Sequence, residues 1–319
     1  MMRVVLVDEV GDAPKAVRVV EGDEVDGVVD TDAVVRWRWL ARRVLVVLTA
    51  CTLVPLALLY VFQDQFVFFT GDEAVPPIAT ALPRARTVAY RTADGVALEA
   101  WFLPARTPQG GCAHAATILL FHGQNQSRAS EAPLASALAE RGVNVVLAEY
   151  RGFGGMEGTP SEDGLVADAR AALEVTRTLP EVDPDRVVVA GFSLGTGVAA
   201  ALAVEQPSAG LVLLAPYTSM PDMAWHRLPV LPYGLLMKAR FDTVARVASS
   251  DVPVLVVASN TDEIIPVVQS ERVHDAARNA DALARVDGLD HSQVGAAPRT
   301  LAPITDFVAR HAPCPGSRT

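Results

Sequence analysis

Residues 186–206 read RVVVAGFSLGTGVAAALAVEQ, which joins an apolar run, a GxSxG pentapeptide and a stretch with helical spacing. The apolar run is typical of a buried strand, and the residues after Ser193 are typical of a helix. A serine at such a strand-to-helix turn is strained and exposes its hydroxyl, while Gly191 and Gly195 leave room for the adjoining backbone. The segment predicts a nucleophile at Ser193, with an ordinary helix N-cap as the alternative.

Apolar runs and helical segments alternate on both sides of this turn. Further strands are predicted in TILLFHG (117–123), VNVVLAEYRG (143–152), GLVLLAPY (210–217) and PVLVVASNTD (253–262). Strands that are apolar throughout and alternate with helices predict an α/β fold, a doubly wound and mostly parallel sheet with helices on both faces. Asp94-Gly95, between VAYRT and ALEAWFL, predicts an antiparallel hairpin at one edge.

A serine hydroxyl is a weak nucleophile unless a nearby base accepts its proton. His291 follows a predicted strand and the turn Asp287-Gly288, and it precedes the last predicted helix, which favours it as that base. The other downstream histidines are His226, in a loop-like stretch, and His274 and His311, in periodic helical segments. Their positions are typical of structural residues.

An acid that orients the imidazole is expected just beyond the strand PVLVVAS. Asp262 occupies that position. Glu263 and Asp290 are the rivals, although Glu263 is better suited to a solvated position and Asp290 adjoins the histidine directly. We therefore predict Ser193, Asp262 and His291 as the catalytic set.

Acyl transfer also needs two N–H donors for the developing oxyanion. The backbone of Leu194, directly after the serine, supplies one. The second is expected from Gln124, because the strand TILLF ends in His122-Gly123-Gln124 and Gly123 allows a close backbone approach. We interpret His122 as a residue that packs the loop.

Several motifs in order along the chain resemble the Bem46-like branch of the α/β hydrolases. They are HGQNQ, EYRGFGGMEGTPSEDGLVADARAAL, AGFSLGTGVA, APYTSMPDMA, SNTDEIIP and GLDHS, within a resemblance over residues 60–312 that includes the juncture QDQFVFF at 63–69. The resemblance implies the α/β-hydrolase fold and assigns the same triad and oxyanion donors, with residues 150–152 shaping the site. Two positions depart from the family pattern, since Gln124 replaces Asn and Ser259 replaces Gly.

The resemblance implies a serine hydrolase that cleaves a carboxylic ester or thioester through an acyl-Ser193 intermediate. A serine peptidase or amidase would use the same residues, and a catalytically silent scaffold is the alternative of another class. We expect a small-molecule or lipid-like acyl substrate, no metal and no cofactor. Residues 216–241 are short for a lid, which predicts an open pocket.

Residues 44–62 read VLVVLTACTLVPLALLYVF, which is 19 positions without a charge and long enough to span a bilayer. Arginines and tryptophans in 36–43 precede this run, and such residues mark the cytoplasmic interface. We expect an uncleaved signal anchor in the cell membrane, with the N-terminus cytoplasmic and the hydrolase domain outside. A cleaved signal peptide, a lipoprotein signal ending at Cys51 and a core helix are the alternatives.

The predicted organisation is an acidic, disordered cytoplasmic tail (1–35), the membrane segment (36–63), a connector (64–87), the α/β domain (88–312) and a flexible tail (313–319). The net charge of −10 argues against nucleic-acid binding. Cys112 and Cys314 flank the α/β domain, and sequence alone leaves their pairing open.

Overall fold

The computed structural model of the protein describes residues 2–9, 14–21, 24–71, 74–107 and 112–314. The chain divides into two compact units, Met1–Phe62 and Gln63–Thr319. Each unit is described by itself below.

The first unit begins with three antiparallel strands, β1 (Met2–Glu9), β2 (Pro14–Glu21) and β3 (Glu24–Asp30). This differs from the disordered tail expected for residues 1–35. Valine is frequent in all three strands, and its β-branched side chain favours extended backbone even between acidic neighbours.

A single long helix, α1 (Thr31–Val67), follows the strands. Its segment Ala33–Gln65 is long and apolar enough to cross a membrane. The helix begins before and ends after the predicted segment 36–63, because neither the basic residues nor Gln63, Asp64 and Gln65 interrupt helical backbone. Pro55 lies inside it, as lipid-embedded helices tolerate.

The second unit contains a sheet in the order β11-β10-β9-β8-β6-β7-β5-β4. Its strands are β4 (Arg86–Arg91), β5 (Ala97–Leu103), β6 (Thr117–Phe121), β7 (Asn144–Ala148), β8 (Val187–Phe192), β9 (Gly210–Leu214), β10 (Val254–Ala258) and β11 (Ala284–Arg285). The pairings from β7 to β11 are parallel, whereas β5 pairs antiparallel with both β4 and β7. The predicted doubly wound, mostly parallel sheet with an antiparallel edge hairpin is confirmed.

Helices cover both faces of this sheet. They are α2 (Ile78–Ala81), α3 (Ala132–Glu140), α4 (Glu162–Thr178), α5 (Leu194–Glu205), α6 (Met220–Arg227), α7 (Tyr233–Leu236), α8 (Thr243–Ser249), α9 (Val267–Ala276), α10 (His291–Val294) and α11 (Leu301–His311). Alternate residues of β8 enter opposite cores: Val187 and Val189 pack with α4 and α5, and Val188 and Ala190 pack with α3 and α11. A strand buried on both faces requires the continuous apolar run seen in the sequence.

A disulfide between Cys112 and Cys314, with Cα atoms 5.7 Å apart, joins the segment before β6 to the end of α11. The pairing that sequence left open is therefore present. It fixes the start of the predicted tail 313–319, of which residues 315–319 lie outside the described residues.

Candidate active site

Ser193 lies between β8 and α5 with φ 50° and ψ −117°, a conformation that L-residues rarely adopt. The two glycines around it are required sterically. A Cβ on Gly191 would overlap the Gly195 carbonyl, and a Cβ on Gly195 would overlap the carbonyl of Phe121. The turn lies at the carboxyl end of β8, beside β6, where chain order in the sheet reverses. Ligands of open α/β sheets bind at such a point.

His291 is the first residue of α10, and its imidazole reaches the serine. Its Nε2 lies 2.9 Å from the Ser193 Oγ, across 98 positions of sequence. Asp290 caps the helix through a capping box with Gln293, which fixes the backbone from which the imidazole projects. The ring of Phe192 packs beside it, with centroids 5.0 Å apart.

Asp262 lies on the other side of the imidazole, and its Oδ2 is 2.8 Å from His291 Nδ1. Its Oδ1 accepts hydrogen bonds from the backbone N–H groups of Ile264 (2.9 Å) and Ile265 (2.8 Å). The aspartate side chain is only 2% exposed and that of the histidine 13%. A carboxylate can only accept, so this contact favours the tautomer with the proton on Nδ1, in which Nε2 is the acceptor that faces the serine hydroxyl.

The two rival acids bond to backbone instead of the imidazole. Glu263 accepts the backbone N–H of His291 at 3.1 Å, and Asp290 accepts that of Gln293 at 2.9 Å. His274 lies in α9 and bonds to the Asp281 carbonyl. These contacts agree with structural roles for the residues that the sequence analysis set aside, as do the positions of the other two downstream histidines in α6 and α11.

The two predicted oxyanion donors line one cavity together with Ser193. In the described part of the chain, the backbone N–H groups of Gln124 and Leu194 donate to no acceptor. Leu194 is the first residue of α5, where no intrahelical acceptor exists. Two free donors beside a serine hydroxyl are the arrangement that a developing oxyanion requires.

The side chain of Gln124 is turned away to the end of α1. Its Nε2 donates to the Val67 carbonyl at 2.9 Å, and the backbone N–H of Asn125 donates to the Phe69 carbonyl at 2.8 Å. Asn125 has a φ of 58°. Residues 67–69 therefore brace the loop of the predicted oxyanion donor, a role that the sequence analysis missed. The juncture QDQFVFF marked these residues only through the family resemblance.

His122 is buried, and its hydrogen bonds stabilise the same loop. Its ring nitrogens lie 2.8 Å from the Gly123 carbonyl and 2.6 Å from the Glu149 carboxylate. Burial alone would raise the pKa of Glu149, but His122 and hydrogen bonds from Arg128 hold that pKa below its ordinary value. This ion cluster agrees with the predicted packing role of His122.

Ser259, where the family pattern has Gly, strengthens the acid loop. Its hydroxyl donates to the Leu289 carbonyl at 2.7 Å, which ties the loop of Asp262 to the loop of His291. In the segment 150–152, the Tyr150 hydroxyl contacts the His122 carbonyl at 3.3 Å. Arg151 instead joins Asp94 to Asp168 away from the serine, because its guanidinium finds two carboxylates there.

A fully buried acid that the sequence analysis did not single out lies beneath the histidine loop. Glu131 is 2% exposed, and its Oε2 has no hydrogen-bond partner in the described part of the chain. A Cβ on Gly295, just after α10, would lie 3.3 Å from that oxygen. Burial raises the pKa of Glu131 to about 8.

Two cavities meet at Ser193. The first, of about 410 Å³, extends past Leu194 toward α6 and is lined mainly by methionine, isoleucine and other apolar residues. The second, of about 400 Å³, lies on the side of His291. Both are open to solvent, as expected from the short segment 216–241. No group of His, Cys, Asp and Glu side chains in the described residues is placed to hold a metal ion.

Comparison with known proteins gives matches over most of the second unit. The family model described as "Serine aminopeptidase, S33" matches residues 113–236. Rv2307c, an uncharacterised protein of Mycobacterium tuberculosis, is 39% identical over 230 residues, which are 72% of this chain and 80% of that protein. Protein bem46 of Schizosaccharomyces pombe is 30% identical over 236 residues, 69% of this chain and 76% of its own.

Among solved structures, the esterase Pf2001 of Pyrococcus furiosus aligns with a TM-score of 0.62. The alignment covers 76% of this chain and 99% of that one, at 19% identity. At that identity the likeness shows a shared fold and does not extend to substrate.

Proposed function

The chain belongs to the α/β hydrolases, on the branch of protein bem46, and from this membership we propose that it is a serine hydrolase that cleaves carboxylic esters or thioesters through an acyl-Ser193 intermediate. The observation that carries the proposal is the line of hydrogen bonds from Ser193 through His291 to Asp262, at 2.9 and 2.8 Å. These contacts have the geometry of a nucleophile, its base and the group that orients the base.

In the first half of the reaction, Ser193 Oγ attacks the acyl carbon while His291 Nε2 takes the hydroxyl proton. The negative oxygen that forms receives hydrogen bonds from the N–H groups of Gln124 and Leu194. Collapse of the tetrahedral species breaks the bond between the acyl carbon and the leaving group. The leaving group is protonated by His291, which transfers to it the proton taken from Ser193. Asp262 stabilises the imidazolium while it exists.

In the second half, a water molecule replaces the leaving group. His291 removes its proton, the hydroxide attacks the acyl-serine carbon, and the same two N–H groups stabilise the second oxyanion. Breakage of the bond to Ser193 Oγ releases the carboxylic acid and restores the serine proton from His291.

Peptide or amide cleavage is the second candidate, favoured by the family model that matches residues 113–236. Both reactions use the same groups and differ in the leaving group, an alcohol or thiol in one case and an amine in the other. A p-nitrophenyl ester series of rising chain length, run beside the matching anilides, tests the proposal. We expect ester hydrolysis that Ser193→Ala abolishes. Undiminished hydrolysis by that variant would exclude Ser193 as nucleophile, and no hydrolysis by the unmodified protein would favour the scaffold alternative.

We further propose that Ala33–Gln65 anchors the protein in the cell membrane with residues after the anchor outside the cytoplasm. Basic residues precede the apolar run, which is the cytoplasmic arrangement. The Cys112–Cys314 disulfide supports this orientation, because disulfides persist in oxidising compartments. Protease added to intact cells should cut the hydrolase unit, and protection of that unit until the membrane is opened would reverse the topology.

A further inference from the structure

The two cavities beside Ser193 contain one permanent charge between them. Arg227, at the end of α6, lines both, and no acidic side chain lines either. The protein as a whole has a net charge of −10. A site whose permanent charge comes from one arginine attracts anions, although the protein as a whole is negatively charged.

In the described part of the structure, the Arg227 guanidinium makes no ion pair or hydrogen bond. Other arginines near functional loops are paired, including Arg128 with Glu149 and Arg246 with Glu162. A basic residue at a helix end is also favoured by the helix dipole. The dipole explains why a positive charge is favourable in the last turn of α6. It does not explain why the charge lies on the cavity side, because a basic residue on any side of the turn would interact with the dipole equally well.

A neighbouring cavity provides a contrast. This cavity of about 760 Å³ lies on the far side of α6 and is lined by the arginines Arg240 and Arg272 together with Asp222, Asp242 and Asp275. Its positive charges are thus balanced by carboxylates of the chain itself. Arg227 is exposed to solvent and has no such counter-charge among the described residues that line its cavities, so its guanidinium is free to pair with an anionic group of a ligand.

The position of His291 assigns the two cavities to the two parts of an ester. His291 lines the second cavity and would protonate the leaving oxygen, so the alcohol portion belongs there. Met220, Met223 and Met237 line the first cavity, which suits an apolar acyl chain because methionine adapts to flexible ligands. Arg227 borders both cavities, close to the junction at Ser193.

The surface around Arg227 indicates where such a substrate comes from. Trp225, Leu228, Val230 and Leu235 are exposed apolar residues of the same segment, with exposed fractions of 54%, 55%, 63% and 84%. Apolar side chains around a cation are typical of a surface that contacts anionic lipid. Gln63, the first residue of the second unit, donates to the Leu236 carbonyl at 3.1 Å and accepts from the backbone N–H of Lys238 at 2.6 Å, which holds this segment beside the start of that unit.

From these observations we propose that the substrate is an anionic amphiphile, a monoacyl ester with a phosphate or carboxylate on its alcohol portion that pairs with Arg227. The planar guanidinium fork matches both anions. This proposal rests on the proposed function of Ser193. Lipid and soluble anionic esters share this chemistry, and the exposed apolar rim favours the lipid source.

The test compares 1-octanoylglycerol 3-phosphate with 1-octanoylglycerol on the full-length protein, by release of octanoate. The two esters share the acyl chain and the ester bond and differ in one phosphate. We expect kcat/KM to favour the phosphate ester about tenfold, since a hydrogen bond to a charged group contributes about 1.4 kcal/mol or more. Arg227→Gln should reduce this ratio to about one, and Arg227→Lys should leave an intermediate ratio.

Arg272→Gln is the matched control, because it removes the same charge from the neighbouring cavity and should leave the ratio intact.

Added salt should lower the ratio of the two kcat/KM values for the unmodified protein, because salt screens the attraction between the phosphate and Arg227. This measurement needs no variant, so it tests the proposal even if Arg227→Gln does not fold. Hexadecanoyl analogues in vesicles distinguish the sources, since a lipid substrate should show the phosphate preference there too. Equal rates for both esters, or a ratio that Arg227→Gln leaves unchanged, would overturn the proposal. Hydrolysis that survives Ser193→Ala would instead overturn the proposed function.

Discussion

The candidate site has an inner half, formed by residues 122–124, 193–194, 262 and 291, and an outer half, formed by residues 67–69 and 220–237. Hydrogen bonds hold the inner half together, and its acid is almost fully buried. The outer half consists of methionines, exposed apolar side chains and an arginine, Arg227, that pairs with no acid among the described residues. The difference indicates that the inner half is organised for chemistry and the outer half for recognition.

The largest effect is expected where the inner half depends on one carboxylate. Asp262→Asn should lower kcat by about 10³- to 10⁴-fold, because asparagine cannot stabilise the imidazolium and favours the wrong tautomer of His291. Steady-state hydrolysis of a p-nitrophenyl ester measures this effect. Glu263→Gln is the matched control, since glutamine can still accept the backbone N–H of His291, and it should change kcat less than about threefold. Similar losses in both variants would remove the distinction between the two acids.

A second effect concerns Glu131, the buried acid beneath the histidine loop, and the pH dependence of the free energy of unfolding. The pKa of Glu131 is about 8 in the folded protein against an ordinary value of 4.5. Below pH 4.5 both folded and unfolded chains hold the proton, but between 4.5 and 8 only the folded chain does. The free energy of unfolding should therefore fall across that window and level off above it.

Glu131→Gln should remove this dependence and stabilise the protein by a few kcal/mol at pH 8, with the difference disappearing near pH 4.5. Urea unfolding at a series of pH values measures it. Glu174→Gln, at an exposed position of α4 where the described residues form no ion pair with it, is the control, and the fall in stability between pH 4.5 and 8 should persist in that variant. A constant difference between Glu131→Gln and the unmodified protein at all pH values would contradict the burial of a protonated acid.

The smallest effect is expected where the two halves join. Gln124→Leu removes the hydrogen bond to the Val67 carbonyl and should lower kcat/KM about threefold to tenfold, the value of one net hydrogen bond that orients the loop. Its backbone N–H remains, so the variant should stay active. Gln206→Leu, at the end of α5, is the control. An unchanged rate for Gln124→Leu would show that residues 67–69 do not position the loop.

The two halves also differ in how far sequence predicts them. Ser193, Asp262 and His291 are predictable because each follows a strand, and parallel strands bring their carboxyl ends to one edge of the sheet. Gln124 and Leu194 are predictable for the same reason, since each lies just beyond the end of a predicted strand, and the family resemblance assigns the same two residues. Strand-to-helix alternation predicts the sheet for a similar reason, since its signal is local periodicity.

Other features lack such a signal. Arg227 lies at the end of α6 and residues 67–69 lie at the end of α1, and both reach the site through tertiary packing, which no period in the sequence encodes. The buried position of Glu131 contradicts the usual preference of glutamate for the surface. Strands β1, β2 and β3 are rich in valine, which favours extended backbone. The expectation of a disordered tail for residues 1–35 rested instead on their acidic composition.

The central claim is that the Ser193 hydroxyl is the activated nucleophile of this site, and covalent labelling tests it most directly. The protein is treated with a fluorophosphonate, and intact mass and peptide mapping locate the adduct. One adduct per chain on Ser193, absent in Ser193→Ala and much slower to form in Asp262→Asn, is the predicted result. An unlabelled Ser193, or equal labelling of the Ser193→Ala variant, would contradict the account.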